Sequence, residues 1–435
     1  MHYSKVRCLL VIAVLSFLFS CKKKKDDIFG PTVTFTTPVP NQFYNVMTSI
    51  TVKAKVTDDN SITRVSMCLV DAFNNPMHVT ISLPVSSPTM NISAPYPLDN
   101  IHLESGAYSI MIIASDGTNE TRTLQPIYLG AVPKVMKKVL VMSASSTAQT
   151  NMSAIDSTFS SLLPLHTFSG DYLASSASSY YQQAYVCGYY TGYFSAYNVI
   201  DNSIRFTVPP YLSSSPFFTG YCATERNTYF ARYDGFIRGY DYTGNIIYNA
   251  NAQPGFYAQH LCFNSGLLIA EEKDKTSSVK KLITFYPTGV AQQETLITQD
   301  VVDFCEKDAD NVFMFGNSNG QGVIQLFDRI NNNVWNPYNY SLPPGTISSV
   351  AQIDNNTYLI AHSNGTIYKY EYQNSSMTTY LTGYVANKIK YDSVNNELYV
   401  VASNTISTFD YATKTFHHSV NSGETIADIQ FLYNR

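Results

Sequence analysis

Two stretches far apart in the chain, DGFIRGYDYTG (Asp234–Gly244) and NGTIYKYEYQN (Asn364–Asn374), follow one pattern. Each begins with a turn dipeptide, followed by an apolar residue, two spacers, an aromatic residue, an acid and a second aromatic residue. Asp-Gly and Asn-Gly between alternating residues are strong signals for a tight β-hairpin turn. The pattern therefore predicts a β-strand that is entered through a hairpin in each stretch.

The same pattern recurs along most of the chain at a nearly constant interval. Its aromatic position is occupied in turn by Ile155 (the faintest copy), Tyr197, Tyr240, Phe285, Phe327, Tyr370 and Phe409. Successive copies are separated by 42, 43, 45, 42, 43 and 39 residues. A period near 42 in strand-rich sequence is typical of β-propeller blades, so the sequence predicts seven blades over residues 131–435.

The sixth copy shows how one blade is built and how the ring closes. SSVAQID, NTYLIAHS, GTIYKYEY and SMTTYLT read as its first to fourth strands, which makes the repeated pattern the third strand. The final segment IADIQFLYN, from Ile426, reads as a first strand, whereas KKVLVMSAS, from Lys137, reads as a second strand. We therefore expect the C-terminal strand to complete a mixed first blade and leave no open edge.

The seventh copy adds a family resemblance. NELYVVASNTISTFDYATKT, from Asn396, resembles the YVTN family of propeller repeats. This resemblance implies the propeller fold and says little about function.

Residues 31–130 precede the repeats and read as about seven short strands separated by turn residues, which predicts an immunoglobulin-like β-sandwich. LESGAYSIMIIASDGTNE, from Leu103, resembles bacterial Ig-like modules, and the resemblance implies that Tyr108 is a structural tyrosine corner. Such modules usually act as spacers or adhesive platforms. Asp58, Asp59 and Asp116 are expected in turns, with a calcium site as the alternative interpretation.

The first 21 residues predict a signal peptide. Lys5 and Arg7 precede an apolar run, Cys8–Ser20, that is short for a bilayer span. Leu18-Phe19-Ser20-Cys21 resembles the lipobox of bacterial lipoproteins, which implies lipidation of Cys21 and a membrane partner. An ordinary secretory signal is the alternative.

Residues 22–30 read as a charged tether that begins with KKKKDD (Lys22–Asp27). Charged runs behind the lipidated Cys are frequent in Bacteroidetes-type surface lipoproteins. This resemblance implies an outer-membrane or cell-surface location, with a periplasm-facing location as the alternative.

Composition excludes several classes of protein. The 435 residues include only 14% charged residues but 34 Tyr, which is typical of β-rich extracellular proteins. A net charge of −4 without a basic stripe gives no reason to expect a nucleic-acid partner. The cysteines and histidines show no metal-ligand spacing, so no metal or cofactor is predicted. Cys222, Cys262 and Cys305 fall in first strands and are expected to be core residues.

A propeller usually binds its ligand on the face that carries the turns between second and third strands. Tyr and Asn at such turns suit a carbohydrate or a peptide. Glu271 and Glu272 begin the longest of these segments, EEKDKTSS, and with Asp274 they are candidates for an acid pair. The candidate ligand-binding residues are Tyr189, Tyr190, Tyr233, Asp234, Glu271, Glu272, Asn317 and His362.

The sequence favours a membrane-anchored envelope lipoprotein that binds a glycan or an envelope protein through the propeller face. One alternative is a propeller hydrolase or lyase that acts on glycans through rim carboxylates; the other is a structural scaffold of an envelope complex. No catalytic residue is assigned. Carboxylates converging at the axis favour the enzyme, whereas a contiguous exposed aromatic patch favours binding.

Overall fold

We describe the protein from a computed structural model that covers residues 28–85, 88–144, 146–211, 215–337 and 342–435. The chain divides into two compact units between Pro133 and Lys134. The predicted signal peptide, the lipobox Cys21 and the run Lys22–Asp27 lie outside the described residues. In the ranges given above, no helix is both long and apolar enough to cross a membrane.

The first unit is a β-sandwich, as the sequence predicts. Its strands are β1 (Thr32–Thr37), β2 (Gln42–Asn45), β3 (Ser49–Thr57), β4 (Arg64–Val70), β5 (Ile81–Leu83), β6 (Thr89–Pro97), β7 (Gly106–Ser115) and β8 (Glu120–Gly130). They form a three-stranded sheet, in the order β1-β3-β6, and a five-stranded sheet, in the order β2-β8-β7-β4-β5.

Period-2 alternation explains why these residues form a sandwich. In β3 every second residue, from Ile50 to Val56, is buried, and the residues between them are exposed. These side chains pack against Val65 and Ile110 of the other sheet, because alternate Cβ atoms of a strand point to opposite faces. The Tyr108 hydroxyl donates a hydrogen bond to the carbonyl of Glu104 at 3.1 Å, which is the expected corner.

The aspartates of this unit act in turns. The Asp116 carboxylate accepts the backbone N–H groups of Thr118 and Asn119, both at 2.6 Å. The Asp58 carboxylate accepts the N–H of Asn60 at 2.8 Å. These contacts are those of ordinary turn residues.

The second unit is a seven-bladed β-propeller. Each blade is a four-stranded antiparallel sheet within the described residues. The strands of blades 1 to 3 are β9 (Met136–Ser143), β10 (Gln149–Ile155), β11 (Leu162–Ser169), β12 (Ala174–Ser178), β13 (Gln183–Cys187), β14 (Phe194–Asn198), β15 (Ser203–Val208), β16 (Phe218–Ala223), β17 (Thr228–Arg232), β18 (Phe236–Tyr240) and β19 (Ile246–Asn251).

Blades 4 to 7 follow in chain order. Their strands, with the last strand of the chain, are β20 (Phe256–Asn264), β21 (Leu267–Asp274), β22 (Lys280–Phe285), β23 (Ala291–Ile297), β24 (Asp300–Glu306), β25 (Asn311–Ser318), β26 (Gln321–Asp328), β27 (Asn333–Trp335), β28 (Ile347–Gln352), β29 (Thr357–His362), β30 (Thr366–Glu371), β31 (Ser376–Thr382), β32 (Lys388–Asp392), β33 (Glu397–Ala402), β34 (Thr405–Asp410), β35 (Phe416–Asn421) and β36 (Ile426–Tyr433).

The ring closes as predicted. Blade 1 has the strand order β11-β10-β9-β36, so the C-terminal strand is its innermost strand and pairs antiparallel with β9. β36 also lies beside β12 of blade 2 and β32 of blade 7. The first strands therefore form a closed ring around the axis.

The repeated pattern is the packing between neighbouring blades. Its aromatic residues from Tyr197 to Phe409 are buried. Phe285 of blade 4, for example, lies in one apolar cluster with Tyr229 and Ile237 of blade 3. The glycines of both quoted turns have positive φ, 102° at Gly235 and 80° at Gly365, a conformation that favours glycine. The pattern thus recurs because every blade interface and every hairpin has the same requirement.

Replacing Ile429 with Ala tests the closing blade. Ile429 is fully buried in a cluster that joins blades 1 and 7, so the lost packing is expected to lower the free energy of unfolding of the propeller by about 2–4 kcal/mol. Ile200→Ala, at a site that is 73% exposed, is the matched control and is expected to change it by less than about 0.5 kcal/mol. Urea denaturation measures both. Equal effects of the two substitutions would contradict the closure.

Candidate functional site

The rim face is the face of the propeller that carries the turns between the second and third strands of each blade. Tyr189 and Tyr190 lie in the turn of blade 2, and Tyr233 and Asp234 in that of blade 3. Both turns lie on the same face of the propeller, as the sequence predicts.

A half-buried carboxylate holds the turn of blade 2. Asp171 accepts the backbone N–H groups of four successive residues at 2.8–3.0 Å, namely Tyr189, Tyr190, Thr191 and Gly192. Burial alone raises the pKa of Asp171, but these four donors outweigh it and leave the pKa below its ordinary value. A Cβ at Gly188 would overlap the backbone of Gly192, so the turn closes only with glycine there. The backbone that carries the two tyrosines is therefore held in place before any ligand arrives.

Tyrosines of three blades converge on the rim face. The rings of Tyr233 and Tyr257 are 4.9 Å apart, and those of Tyr189 and Tyr190 are 4.6 Å apart. Tyr189 and Tyr257 line the same cavity, so the two pairs are close to each other. Burial and the neighbouring Tyr189 and Tyr233 raise the pKa of Tyr257. We call these four residues the tyrosine cluster. Tyr190 is 46% exposed, so the cluster is open to solvent on one side.

A cavity of about 180 Å³ lies beneath the tyrosine cluster. Its walls are Leu173, Tyr189, Thr219, Tyr257, Gln259 and His260. Gln259 and His260 belong to the first strand of blade 4, so the cavity reaches the wall of the axial channel.

Glu271 and Glu272 do not lie in a rim turn, and their predicted position was wrong. Both are fully buried within β21, which continues to Asp274, so the turn begins only at Lys275. The Glu271 carboxylate lies 2.6 Å from Nδ1 of His260. Glu272 points elsewhere and accepts the backbone N–H of Gln253 at 3.1 Å. The two carboxylates therefore have separate partners and do not form an acid pair on the rim.

His362 and Asn317 are engaged inside the propeller. His362 is buried, and its Nδ1 accepts the N–H of Asn364 at 3.3 Å. The Asn317 amide bonds both backbone groups of Ile347, at 2.8 and 3.0 Å, and so ties blade 5 to blade 6. Both side chains were expected to face a ligand, but they form hydrogen bonds within the propeller instead. Strand positions give the turn, but not the direction of the side chain.

Asp234 remains on the rim face but has an intramolecular partner. Its carboxylate pairs with the Arg232 guanidinium, which lies 4.9 Å from the ring centre of Phe217 and 5.1 Å from that of Phe236. Asp234 thus orients a stacked arginine beside the tyrosine cluster.

Charged residues line the axis, which the sequence analysis did not foresee. Lys390 lies 3.4 Å from Asp428, and Lys388 lies 3.8 Å from Asp303. Burial alone raises the pKa of Asp428, but the two lysines and the N–H of Ile429 bring it below its ordinary value. Burial lowers the pKa of Lys390, whereas Asp303 raises that of Lys388. Buried charges persist in a protein where partners compensate their desolvation.

A repeat alignment of first strands contains the signal for these residues. In each of four blades an ionisable residue of the first strand pairs with a residue of the second strand. That second-strand residue lies opposite the apolar position of the repeat in the third strand. The four ionisable residues are His260, Asp303, Lys388 and Asp428. They are separated by 43, 85 and 40 residues, which are one or two repeat periods. Four ionisable residues at one register position mark the axial wall.

The first-strand cysteines lie where the sequence placed them. Cys222, Cys262 and Cys305 belong to β16, β20 and β24, and burial raises the pKa of each thiol. Thiols whose ionisation is disfavoured are poor nucleophiles and poor metal ligands, so these residues act as small apolar side chains.

A larger cavity, of about 620 Å³, lies beside blade 1, but several of its polar groups bond to one another. There the Asn151 amide donates to Glu424 at 3.0 Å and accepts the Thr167 hydroxyl at 2.8 Å. The cavity beneath the tyrosine cluster is smaller, yet it combines converging rings with Oε1 of Gln259, a buried acceptor without a hydrogen-bond partner among the described residues. We therefore take it as the candidate site.

Comparison with known proteins identifies the first unit. A family model for the bacterial Ig domain matches residues 31–112, so this unit contains a bacterial Ig domain. No curated protein matches the chain in sequence.

Solved structures offer distant likenesses. A quinonprotein alcohol dehydrogenase-like protein from Bacteroides thetaiotaomicron is 13% identical, with a TM-score of 0.48 and coverage of 93% of this chain and 99% of that chain. The beta-propeller domain of Cps50 from Myceliophteria thermophila is 8% identical, with a TM-score of 0.46 and coverage of 58% and 88%. The propeller assignment rests on the strand order in the seven sheets. The described residues therefore form a bacterial Ig domain followed by a seven-bladed β-propeller.

Glu272 predicts a pH-dependent stability. Burial raises its pKa from 4.5 to about 7. A raised carboxyl pKa contributes stability that is fully present below pH 4.5 and is lost as the pH rises through 7. Relative to Glu272→Gln, the wild-type chain is expected to lose about 3 kcal/mol of unfolding free energy across this range. Urea denaturation at pH 5 and pH 8 measures the difference; parallel stability profiles of the two proteins would contradict it.

Proposed function

We propose that the protein is a lipid-anchored envelope protein that binds a glycan on the rim face of its propeller. The observation that carries the proposal is the convergence of Tyr189, Tyr190, Tyr233 and Tyr257 over a cavity in the axial wall. Exposed, preoriented aromatic rings above polar groups suit a ligand with apolar faces and hydroxyl edges.

The size of the cavity indicates how such a ligand lies. At about 180 Å³ it is smaller than the roughly 300–1,000 Å³ typical of pockets that enclose a whole small molecule. It suits the end of a longer ligand. The remainder has exposed aromatic surface to lie on, since Tyr190 and Tyr211 of blade 2 are 46% and 67% exposed. A glycan chain with one terminal residue in the cavity fits this arrangement.

The axial carboxylates favour binding over the glycan-hydrolase alternative. Hydrolysis of a glycosidic bond requires one carboxyl group as acid and a second as base or nucleophile. Asp303 is engaged by Lys388 and by the N–H of Val350 at 2.9 Å, and Asp428 by Lys390. Glu271 is engaged by His260. These carboxylates therefore support the fold and the cavity wall.

Calorimetric titration with soluble oligosaccharides tests the proposal. The chain from Lys22 to Arg435 retains every described residue and is titrated at millimolar ligand concentrations. At least one oligosaccharide is expected to bind, and Tyr233→Ala is expected to weaken its affinity about tenfold because a stacking ring is lost.

Tyr286→Ala is the matched control. Tyr286 is 43% exposed and lies in the turn between the third and fourth strands of blade 4, at the opposite end of the blades. Its substitution is expected to leave the affinity unchanged. If the folded wild-type chain binds no oligosaccharide in the panel, the glycan proposal is overturned and an envelope protein becomes the better candidate partner.

The lipid anchor is a separate part of the proposal and rests on the resemblance of Leu18–Cys21 to a lipobox. The anchor places the propeller at the outer membrane or the cell surface.

Cys21→Ser removes the lipidated thiol, so the protein is expected to move from the membrane fraction to the soluble fraction in a bacterial host that processes lipoproteins. Fractionation with immunoblotting measures the shift. Cys68→Ser, a buried thiol of the Ig domain, is the control and is expected to stay with the membrane. Retention of Cys21→Ser would contradict the anchor.

A further inference from the structure

A histidine–carboxylate pair forms part of the wall of the cavity beneath the tyrosine cluster. The Glu271 carboxylate lies 2.6 Å from Nδ1 of His260 and is fully buried, whereas the His260 side chain is 35% exposed. The second oxygen of Glu271 accepts the backbone N–H of Val301 at 3.4 Å. A register shift between Ala258 and His260 sets the imidazole opposite Glu271. The carboxylate is thus fixed from two sides and orients the ring.

The pair determines which nitrogen faces the cavity. When the Glu271 carboxylate accepts Nδ1–H, the neutral imidazole presents Nε2 as a hydrogen-bond acceptor. Within the described ranges, Nε2 of His260 makes no hydrogen bond. The ring lines both the cavity beneath the tyrosine cluster and the axial cavity below it. Nε2 is therefore an oriented acceptor without a partner.

A second acceptor lies next to the first. Oε1 of Gln259 is buried and, among the described residues, has no hydrogen-bond partner. The Thr219 hydroxyl in the same wall is already used, because it donates to the carbonyl of Ala258 at 2.6 Å. A buried acceptor without a hydrogen-bond partner destabilises the folded protein, so a ligand that reaches this atom and donates to it recovers that free energy. The wall therefore selects for hydrogen-bond donors.

We infer that His260 and Gln259 make this cavity the subsite for the terminal sugar residue of the glycan and recognise two of its hydroxyl groups as donors. This inference rests on the proposed function. Glu271 is a positioning residue that acts through His260. A site built to bond a hydroxyl group rejects the analogue that lacks it, because the buried acceptor is then left unpaired.

The test combines variants with deoxy sugars. Methyl glycosides of glucose, galactose, mannose and N-acetylglucosamine are titrated first, followed by each monodeoxy derivative of the one that binds best. His260→Asn keeps an amide near the Nδ1 position for Glu271 but removes Nε2. It is expected to weaken binding about tenfold or more.

The decisive readout is the coupling between variant and ligand. One monodeoxy derivative is expected to bind the wild-type chain about tenfold more weakly than the parent sugar, yet to bind His260→Asn no more weakly than the parent sugar does. Gln259→Met removes the second acceptor at similar volume and is expected to show the same coupling at a different hydroxyl group. If the melting temperature of His260→Asn falls markedly, the binding data for Gln259→Met decide the outcome instead.

The outcomes separate this inference from the proposed function. If the wild-type chain binds neither oligosaccharides nor methyl glycosides, the proposed function fails. If oligosaccharides bind and Tyr233→Ala weakens them, but the variants at His260 and Gln259 bind every monodeoxy derivative as the wild type does, only the terminal subsite is overturned. Binding of oligosaccharides without binding of any methyl glycoside likewise overturns the subsite alone.

Discussion

The propeller depends on one pairing between distant parts of the chain, that of β36 with β9. Six blades are built from consecutive strands, and their hairpins form locally. The remaining blade, blade 1, forms only when Ile426–Tyr433 pairs with Met136–Ser143, which lies nearly 300 residues earlier in the chain. Forming this contact costs loop-closure entropy that grows only slowly with chain length, while it removes the last open sheet edge. The axial wall is complete only when β36 is in place, because Asp428 is one of its residues.

Closure brings seven first strands together where space is smallest, and this explains the chemistry of the axis. Small residues suffice for packing there, but charged residues are tolerated where each meets an opposite charge from another blade. Lys388 and Lys390 extend from blade 7 toward Asp303 of blade 5 and Asp428 of blade 1. Removing one partner of such a pair leaves the other charge, which is buried or half-buried, without compensation, and this is destabilising. Closure therefore has to bring each lysine beside its aspartate.

The fold was predictable from the sequence because packing between blades is repetitive. An aromatic residue at the same place in each blade, such as Tyr240 or Tyr370, leaves a periodic trace that is visible without coordinates. Tyr189, Tyr190 and Tyr233 were predictable for a related reason, since turn positions follow from the strands. Tyr257 was not predicted, because it lies in the first strand of blade 4. The inner wall was not. Whether Glu271 lies in a turn or a strand depends on how far β21 extends, and its contact with His260 depends on a register shift in β20. Neither feature has a periodic signature.

The candidate site combines two elements that are rigid for different reasons, and this bears on how it discriminates between ligands. Asp171 holds the turn of Tyr189 and Tyr190 through four backbone donors, and Glu271 holds the imidazole of His260 through one short contact. Aromatic stacking discriminates little between sugars, because many sugars present an apolar face. Oriented acceptors discriminate strongly, because a ligand that lacks the matching donor leaves buried polar atoms unpaired. With both elements fixed in advance, little conformational entropy remains to be lost on binding. If the proposed glycan-binding function holds, the cluster supplies affinity for glycans in general, and the wall beneath it decides which terminal residue enters.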